Sequence, residues 1–197
     1  LMRIYRVLTY IKLDDYDKVL QESNLAREEF PEFEIFYMFL VDYLLERKQP
    51  EEALNFLRTA PTNALRNHLR HYKYKVLHQM DRSKEAWKCI QPYLKKANEE
   101  DIDRLASIGA DFYYRGMTNQ ALSVYRQLKE FRPGNLRIAN NLGYILIGEG
   151  NYLDALDILR EIANQPNSTL FRDIARCNIA YINNLKEDFG RAIIEIE

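Results

Sequence analysis

The chain has 197 residues, 47% of them hydrophobic, and its 28 basic and 29 acidic side chains leave a formal net charge of −1. That balance argues against a polyanion binder driven by overall basicity, and no apolar run reaches the roughly 18 residues needed to cross a bilayer. Arg3, Arg6, Lys12, Asp14 and Asp15 interrupt the first residues, so no signal-peptide apolar core is present. Cys89 and Cys177 lie far apart and form no CxxC pair, which fits a reducing, cytoplasmic setting and not a disulfide framework.

In chain order the apolar residues recur at helical spacing, and no period-two run of useful length suggests a strand. Six segments follow one another, approximately 1–33, 34–66, 67–101, 102–135, 136–172 and 173–197. Each carries an apolar anchor at an equivalent place: Val19, Ala53, Ala86, Ala121, Ala155 and Ala192, spaced 34, 33, 35, 34 and 37 residues apart. Between the first and second segments, Glu28-Glu29-Phe30-Pro31-Glu32-Phe33-Glu34 reads as a solvated turn. In the second, Gln49-Pro50-Glu51-Glu52 starts a helix with proline at its first position and acids at its positive end. In the third, Asp81 or Ser83 is the expected N-cap of the second helix. Pro92 falls near the middle of that helix and should kink it.

The fourth and fifth segments repeat most closely. Gly109, Gly116 and Ala121 recur 34 residues later as Gly143, Gly150 and Ala155, with Pro133 and Pro166 closing the two copies. Gly116-Met117-Thr118-Asn119 and Gly150-Asn151-Tyr152 are the expected turns between paired helices. The sixth segment closes on Ala192-Ile193-Ile194-Glu195-Ile196-Glu197, an uncapped helical pattern, and the first opens on Leu1 inside another. Solenoid ends of that kind suggest a piece of a longer protein.

A period of 34 with the anchors at repeat position 20, small residues at position 8 in the last three segments (Gly109, Gly143 and Ala180, against Val7, Val41 and Tyr74 in the first three) and proline at position 32 as Pro31 and Pro133 resembles the tetratricopeptide repeat. The likeness is strongest over residues 102–169, and it departs from the family at position 4, where Leu105 and Ala139 replace the signature tryptophan. It implies an all-α, right-handed α-solenoid of about six helical hairpins, a single solenoid over 1–197 with a concave groove lined by the first helix of each hairpin. It also implies a surface for binding, not a reaction vessel.

Two groups of side chains are candidates for that surface. Asn141 and Asn178 share repeat position 6, Tyr144 and Tyr181 share position 9, and Asn140 and Tyr113 lie beside them. Amides can grip the backbone of an extended peptide, and tyrosines add apolar area with a hydroxyl. The pair of asparagines is similar to the asparagine ladder of the tetratricopeptide region in the O-linked N-acetylglucosamine transferase family. The alternative is that each amide bonds a neighbouring helix. The second group is basic. His68, His71 and His78 fall in one expected helix with Arg66, Arg70, Lys73 and Lys75, and no acid occurs between Ala64 and Met80. With Arg137, the residues His68, His71 and Lys75 form a patch suited to an acidic peptide. A metal site there is disfavoured, since no carboxylate or cysteine joins the histidines and nearby cations would repel the ion.

The chaperone-type carboxylate clamp does not fit. Read from the fourth repeat, its positions hold Ala106, Ala110, Asn141, Ile174 and Asn178, which lack the required cations. No catalytic motif occurs, and Cys89 reads as a packed small hydrophobe. The expectation is a non-enzymatic protein-interaction scaffold without a cofactor, binding a peptide or helix in its groove within a multiprotein assembly. Nucleic acid is not the expected partner, no membrane insertion is expected, and self-association through the solenoid ends is open. The alternative is a regulatory or substrate-docking segment of an enzyme whose catalytic domain lies elsewhere.

Overall fold

The computed structural model describes residues 2–96, 99–166 and 169–185. Among these residues every regular element is helical, and the chain divides into two compact units, Leu1–Lys96 and Ala97–Glu197. The first unit contains α1 (Met2–Lys12), α2 (Tyr16–Glu29), α3 (Glu34–Glu46), α4 (Pro50–Arg58), α5 (Asn63–His68), α6 (Arg70–Gln79) and α7 (Ser83–Leu94). The second opens with a single 3₁₀ turn, Glu99–Asp101. It continues through α8 (Ile102–Tyr114), α9 (Thr118–Phe131), α10 (Leu136–Gly148), α11 (Tyr152–Ala163) and α12 (Thr169–Leu185). Helices pack in sequential antiparallel pairs: α1 with α2, α3 with α4, α6 with α7, α8 with α9, and α10 with α11, which also carries α12. Ala192 and the closing segment from it to Glu197 lie outside the described residues.

Each pair is closed by the same turn. Asp14, Lys48, Asp81, Gly116 and Gly150 all take left-handed backbone angles, with φ of 51°, 60°, 57°, 73° and 74°. The residue after each donates its amide back across the turn, Asp15 to Tyr10, Gln49 to Leu44, Arg82 to Leu77, Met117 to Phe112 and Asn151 to Leu146. This is the helix-ending motif in which a left-handed residue lets orphan carbonyls find donors. Two of the five positions carry glycine, which takes the conformation without a Cβ penalty. Lys48→Gly is therefore expected to raise the unfolding free energy by roughly 0.5–1 kcal/mol, and Gly116→Ala to lower it by about 1 kcal/mol. Urea unfolding midpoints of the two variants check this; shifts of the same sign would contradict it.

The turn corrects one expectation. Neither Asp81 nor Ser83 caps α7: Asp81 is the left-handed residue, Arg82 is the N-cap, and Ser83 is already helical. The third hairpin departs from expectation in two further respects. Its first helix begins at Asn63, capped by the Thr62 hydroxyl, which accepts from the Leu65 amide, and is interrupted at Leu69 (φ −77°, ψ 1°). The three histidines thus occupy two helical segments, His68 at the end of α5 and His71 and His78 in α6. Pro92, expected near mid-helix, is followed only by Tyr93 and Leu94 before α7 ends. Proline there removes the amide that would bond the Lys88 carbonyl, so the lost hydrogen bond falls in the last turn of α7 and not at mid-helix. Pro50 does open α4, with Glu51 and Glu52 in its first turn.

The core follows the repeat. Val19, Ala53, Ala86, Ala121 and Ala155 are fully buried between paired helices. At repeat position 24 stand Ser23, Leu57, Ile90, Tyr125 and Leu159, also buried, each one turn further along its helix. Position 8 faces them. A Cβ added at Gly109 would lie 2.9 Å from the Tyr125 ring and 3.0 Å from Val124, and one at Gly143 would lie 3.0 Å from Leu159. In these two pairs the glycine and the large residue opposite fill a single volume, so a side chain at position 8 would meet its neighbour.

Candidate functional site

In the second unit, α8, α10 and α12 are the first helices of successive hairpins, and they bring several expected residues together. Tyr113, near the end of α8, meets Tyr144 of α10 edge-on, with ring centroids 5.8 Å apart. Gly148 makes room for it: a Cβ at that position would stand 2.7 Å from the Tyr113 hydroxyl. Ala110, Tyr113, Tyr114, Asn141 and Tyr144 border a small cavity of about 80 Å³ whose floor includes Tyr125. Tyr144 and Tyr181 keep 54% and 52% of their surface exposed, so about half of each ring is available for contact. Burial pushes the Tyr113 phenol upward, and the neighbouring Tyr144 adds to the shift, so its hydroxyl stays protonated and able to donate near neutral pH.

The asparagines are anchored inside the fold. Asn141 donates Nδ2 to the Tyr125 hydroxyl at 3.2 Å, and that hydroxyl donates to the Ala106 carbonyl at 2.8 Å. The chain Asn141–Tyr125–Ala106 therefore ties α10, α9 and α8. Asn178 donates Nδ2 to Oδ1 of Asn140 at 3.4 Å, linking α12 to α10. Each amide of the candidate ladder thus already spends a donor on a neighbouring helix, as the alternative reading required. The Tyr125 hydroxyl was not foreseen; its repeat position marks it as packing and gives no sign of its polar role.

The basic candidates lie differently. Arg137 belongs to the second unit, where it pairs with Asp103 of α8. His68, His71 and Lys75 belong to the first. Although the sequence around them carries no acid, α3 supplies two: Glu34 approaches His68 at 3.5 Å and Asp42 approaches Lys75 at 3.4 Å. Lys75 also sits over the Tyr72 ring, 4.9 Å from its centroid, and His71 meets that ring edge-on. The stripe formed by these residues is partly neutralised by the preceding repeat, a pairing across 33 and 34 residues that a local charge count cannot see.

Cys89 lines a surface cavity and is only partly buried, and Cys177 is exposed; both are free thiols. Burial pushes the Cys89 thiol upward despite nearby Lys73 and Arg70, which keeps it a poor nucleophile. No cluster of three or more histidine, cysteine or acidic side chains suited to a metal occurs among the described residues.

The pairing of helices, the closing turn and the position 8 packing together define a tetratricopeptide-type helical repeat fold, and solved structures share it. YrrB, described as a TPR protein with an unusual peptide-binding site, matches at 21% identity with a TM-score of 0.52, over 84% of this chain and 86% of its own. MamA matches at 15% identity and TM-score 0.56, over 81% of this chain and 87% of its own. PilF of Pseudomonas aeruginosa does so at 15% identity and TM-score 0.56, over 98% and 87%. No family model and no curated protein matches the chain in sequence.

Proposed function

We propose that the chain is a non-enzymatic protein-interaction scaffold, and that the first-helix face of α8, α10 and α12 receives a peptide or helix of a partner protein. The observation that carries this reading is the row of half-exposed aromatic rings. Tyr144 and Tyr181 stand on successive first helices, with Tyr113 buttressing Tyr144 from behind. Rigid aromatic side chains with a polar tip are the usual anchors of protein contacts, because they add area at low entropic cost. Asn140 and Asn141 stand one turn before Tyr144 on α10, and Asn178 one turn before Tyr181 on α12, and their remaining amide atoms suit the backbone of an extended segment. That YrrB has a peptide-binding site on the same fold supports the reading by analogy. The two free cysteines suit a reducing, cytoplasmic setting.

The test uses Tyr144→Ala/Tyr181→Ala and leaves Asn141 intact, since its loss would disturb the packing of Tyr125. A partner captured from native lysate and identified by mass spectrometry is then titrated against both proteins. Affinity is expected to fall by about tenfold or more, as for truncated aromatic hot spots, with unchanged helical circular dichroism. Equal affinity for the two proteins would rule out this face.

A further inference from the structure

A second surface in the first unit has no part in that reading. Between α4, α5–α6 and α7 lies a cavity of about 570 Å³ whose wall carries Arg58, Arg66, Arg70, Lys73 and Lys88. Leu57, Leu69 and Pro92 contribute apolar floor, and Asn63 and Asn67 add amides. Five cations converge from four helices, α4, α5, α6 and α7, and among the described residues no carboxylate lines the cavity. An acid lines an adjoining depression of about 230 Å³, where Glu85 stands near Lys73 and Lys88. Its carboxylate is already held by both arms of Arg82, each at 2.6 Å.

The arrangement arises from helix geometry. Arg66 stands on α5 and Arg70 and Lys73 on α6, all lining the cavity, while His68 on α5 and Lys75 on α6 meet the acids of α3. The α3 acids pair with His68 and Lys75, not with the cations of the cavity. Two of the cavity's guanidinium groups are oriented by the fold: Arg66 donates Nε to the Ala60 carbonyl at 2.8 Å, and Arg58 donates to Oδ1 of Asn55 at 3.1 Å. Each keeps further N–H groups for a ligand. Arg58, Arg66, Lys73 and Lys88 are exposed and Arg70 is half-buried, so the charges are reachable from solvent.

The geometry points to a binding site for clustered phosphate groups. Like charges gathered in one concavity repel one another, and a multiply charged anion relieves that repulsion. A lone carboxylate would leave most of the five cations uncompensated. Forked guanidinium donors beside lysine point charges suit phosphate oxygens, which accept several charge-assisted hydrogen bonds at once. The phosphates belong either to a free small polyanion or to a phosphorylated segment of a partner protein.

The test titrates the 197-residue protein with inorganic tripolyphosphate and, separately, with a short peptide bearing two adjacent phosphoserines and its unphosphorylated form. Calorimetry and the fluorescence of Trp87, on α7 one residue before Lys88, supply two readouts. Saturable one-site binding is expected. Lys73→Glu/Lys88→Glu should weaken it by about tenfold or more, as expected when charge-assisted contacts are removed. Lys73→Gln/Lys88→Gln should weaken it less, and both variants should unfold at the wild-type midpoint. The charge-matched Lys12→Glu/Arg104→Glu, whose side chains lie outside the cavity, should bind like wild type. A tighter phosphopeptide, displaced by tripolyphosphate, identifies a phosphorylated partner; tighter tripolyphosphate identifies a free anion. Absence of saturation, equal loss in the Lys12/Arg104 variant, or equal binding of the unphosphorylated peptide would each overturn the site.

Discussion

Tyr125→Ala is expected to lower the unfolding free energy by about 3–5 kcal/mol, in the range for truncating a fully buried aromatic side chain. The ring is 2% exposed and fills the space beside Gly109 between α8 and α9. Its hydroxyl adds a second role, accepting from Asn141 and donating to the Ala106 carbonyl. Tyr125→Phe separates the two. It keeps the ring but leaves the Ala106 carbonyl without that donor and Asn141 without that acceptor, so a loss of about 1–2 kcal/mol is expected. Because the hydroxyl joins three helices, the Phe variant should also loosen α10, visible as faster amide exchange in Leu136–Gly148. Urea unfolding of both variants checks the order. A Phe variant as unstable as the Ala variant, or one as stable as wild type, would contradict this division of labour between ring and hydroxyl.

Period and small residues made the fold legible, because both express constraints that recur in every hairpin. Ala121 and Ala155 are small since two helices cross there, and the crossing repeats at each unit. The closing turn was legible only where it carries glycine. Asp14, Lys48 and Asp81 adopt the same left-handed angle with side chains that do not advertise it, so the composition of those turns conceals a shared backbone. The candidate sites were less legible for a different reason. A repeat pattern assigns side chains to a face, but charge on that face depends on partners one repeat away. Glu34 and Asp42 reach His68 and Lys75 from a helix more than thirty residues upstream, and Arg58 and Lys88 join Arg66, Arg70 and Lys73 from two other helices. Counting acids within a segment therefore could not see that His68 and Lys75 have acidic neighbours on α3. Asn141 shows the converse: its repeat position correctly placed it on the first-helix face, while its bond to Tyr125 followed from a residue read as packing alone.

Gly109→Val is expected to cost about 1–3 kcal/mol, the usual penalty for forcing extra atoms into a filled core. The new Cβ would already stand 2.9 Å from the Tyr125 ring and 3.0 Å from Val124, closer than such contacts normally come. Two effects oppose each other when the substitution is smaller. Gly109→Ala gains up to about 1 kcal/mol of helix propensity in the interior of α8, but meets the same wall. The wall is mostly the ring, whose flat edge cannot swing away while its hydroxyl is held by Ala106 and Asn141. In a Tyr125→Leu background that edge is gone, so Gly109→Ala should change from neutral or destabilising to stabilising. A double-mutant cycle measures the coupling, expected at about 1 kcal/mol or more for side chains in direct contact. Additive effects would mean that glycine at position 8 is not set by the residue at position 24. Coupled effects would establish that the repeat is specified as a pair of sizes, so that Gly109 with Tyr125 and Gly143 with the more yielding Leu159 are two solutions to one packing constraint.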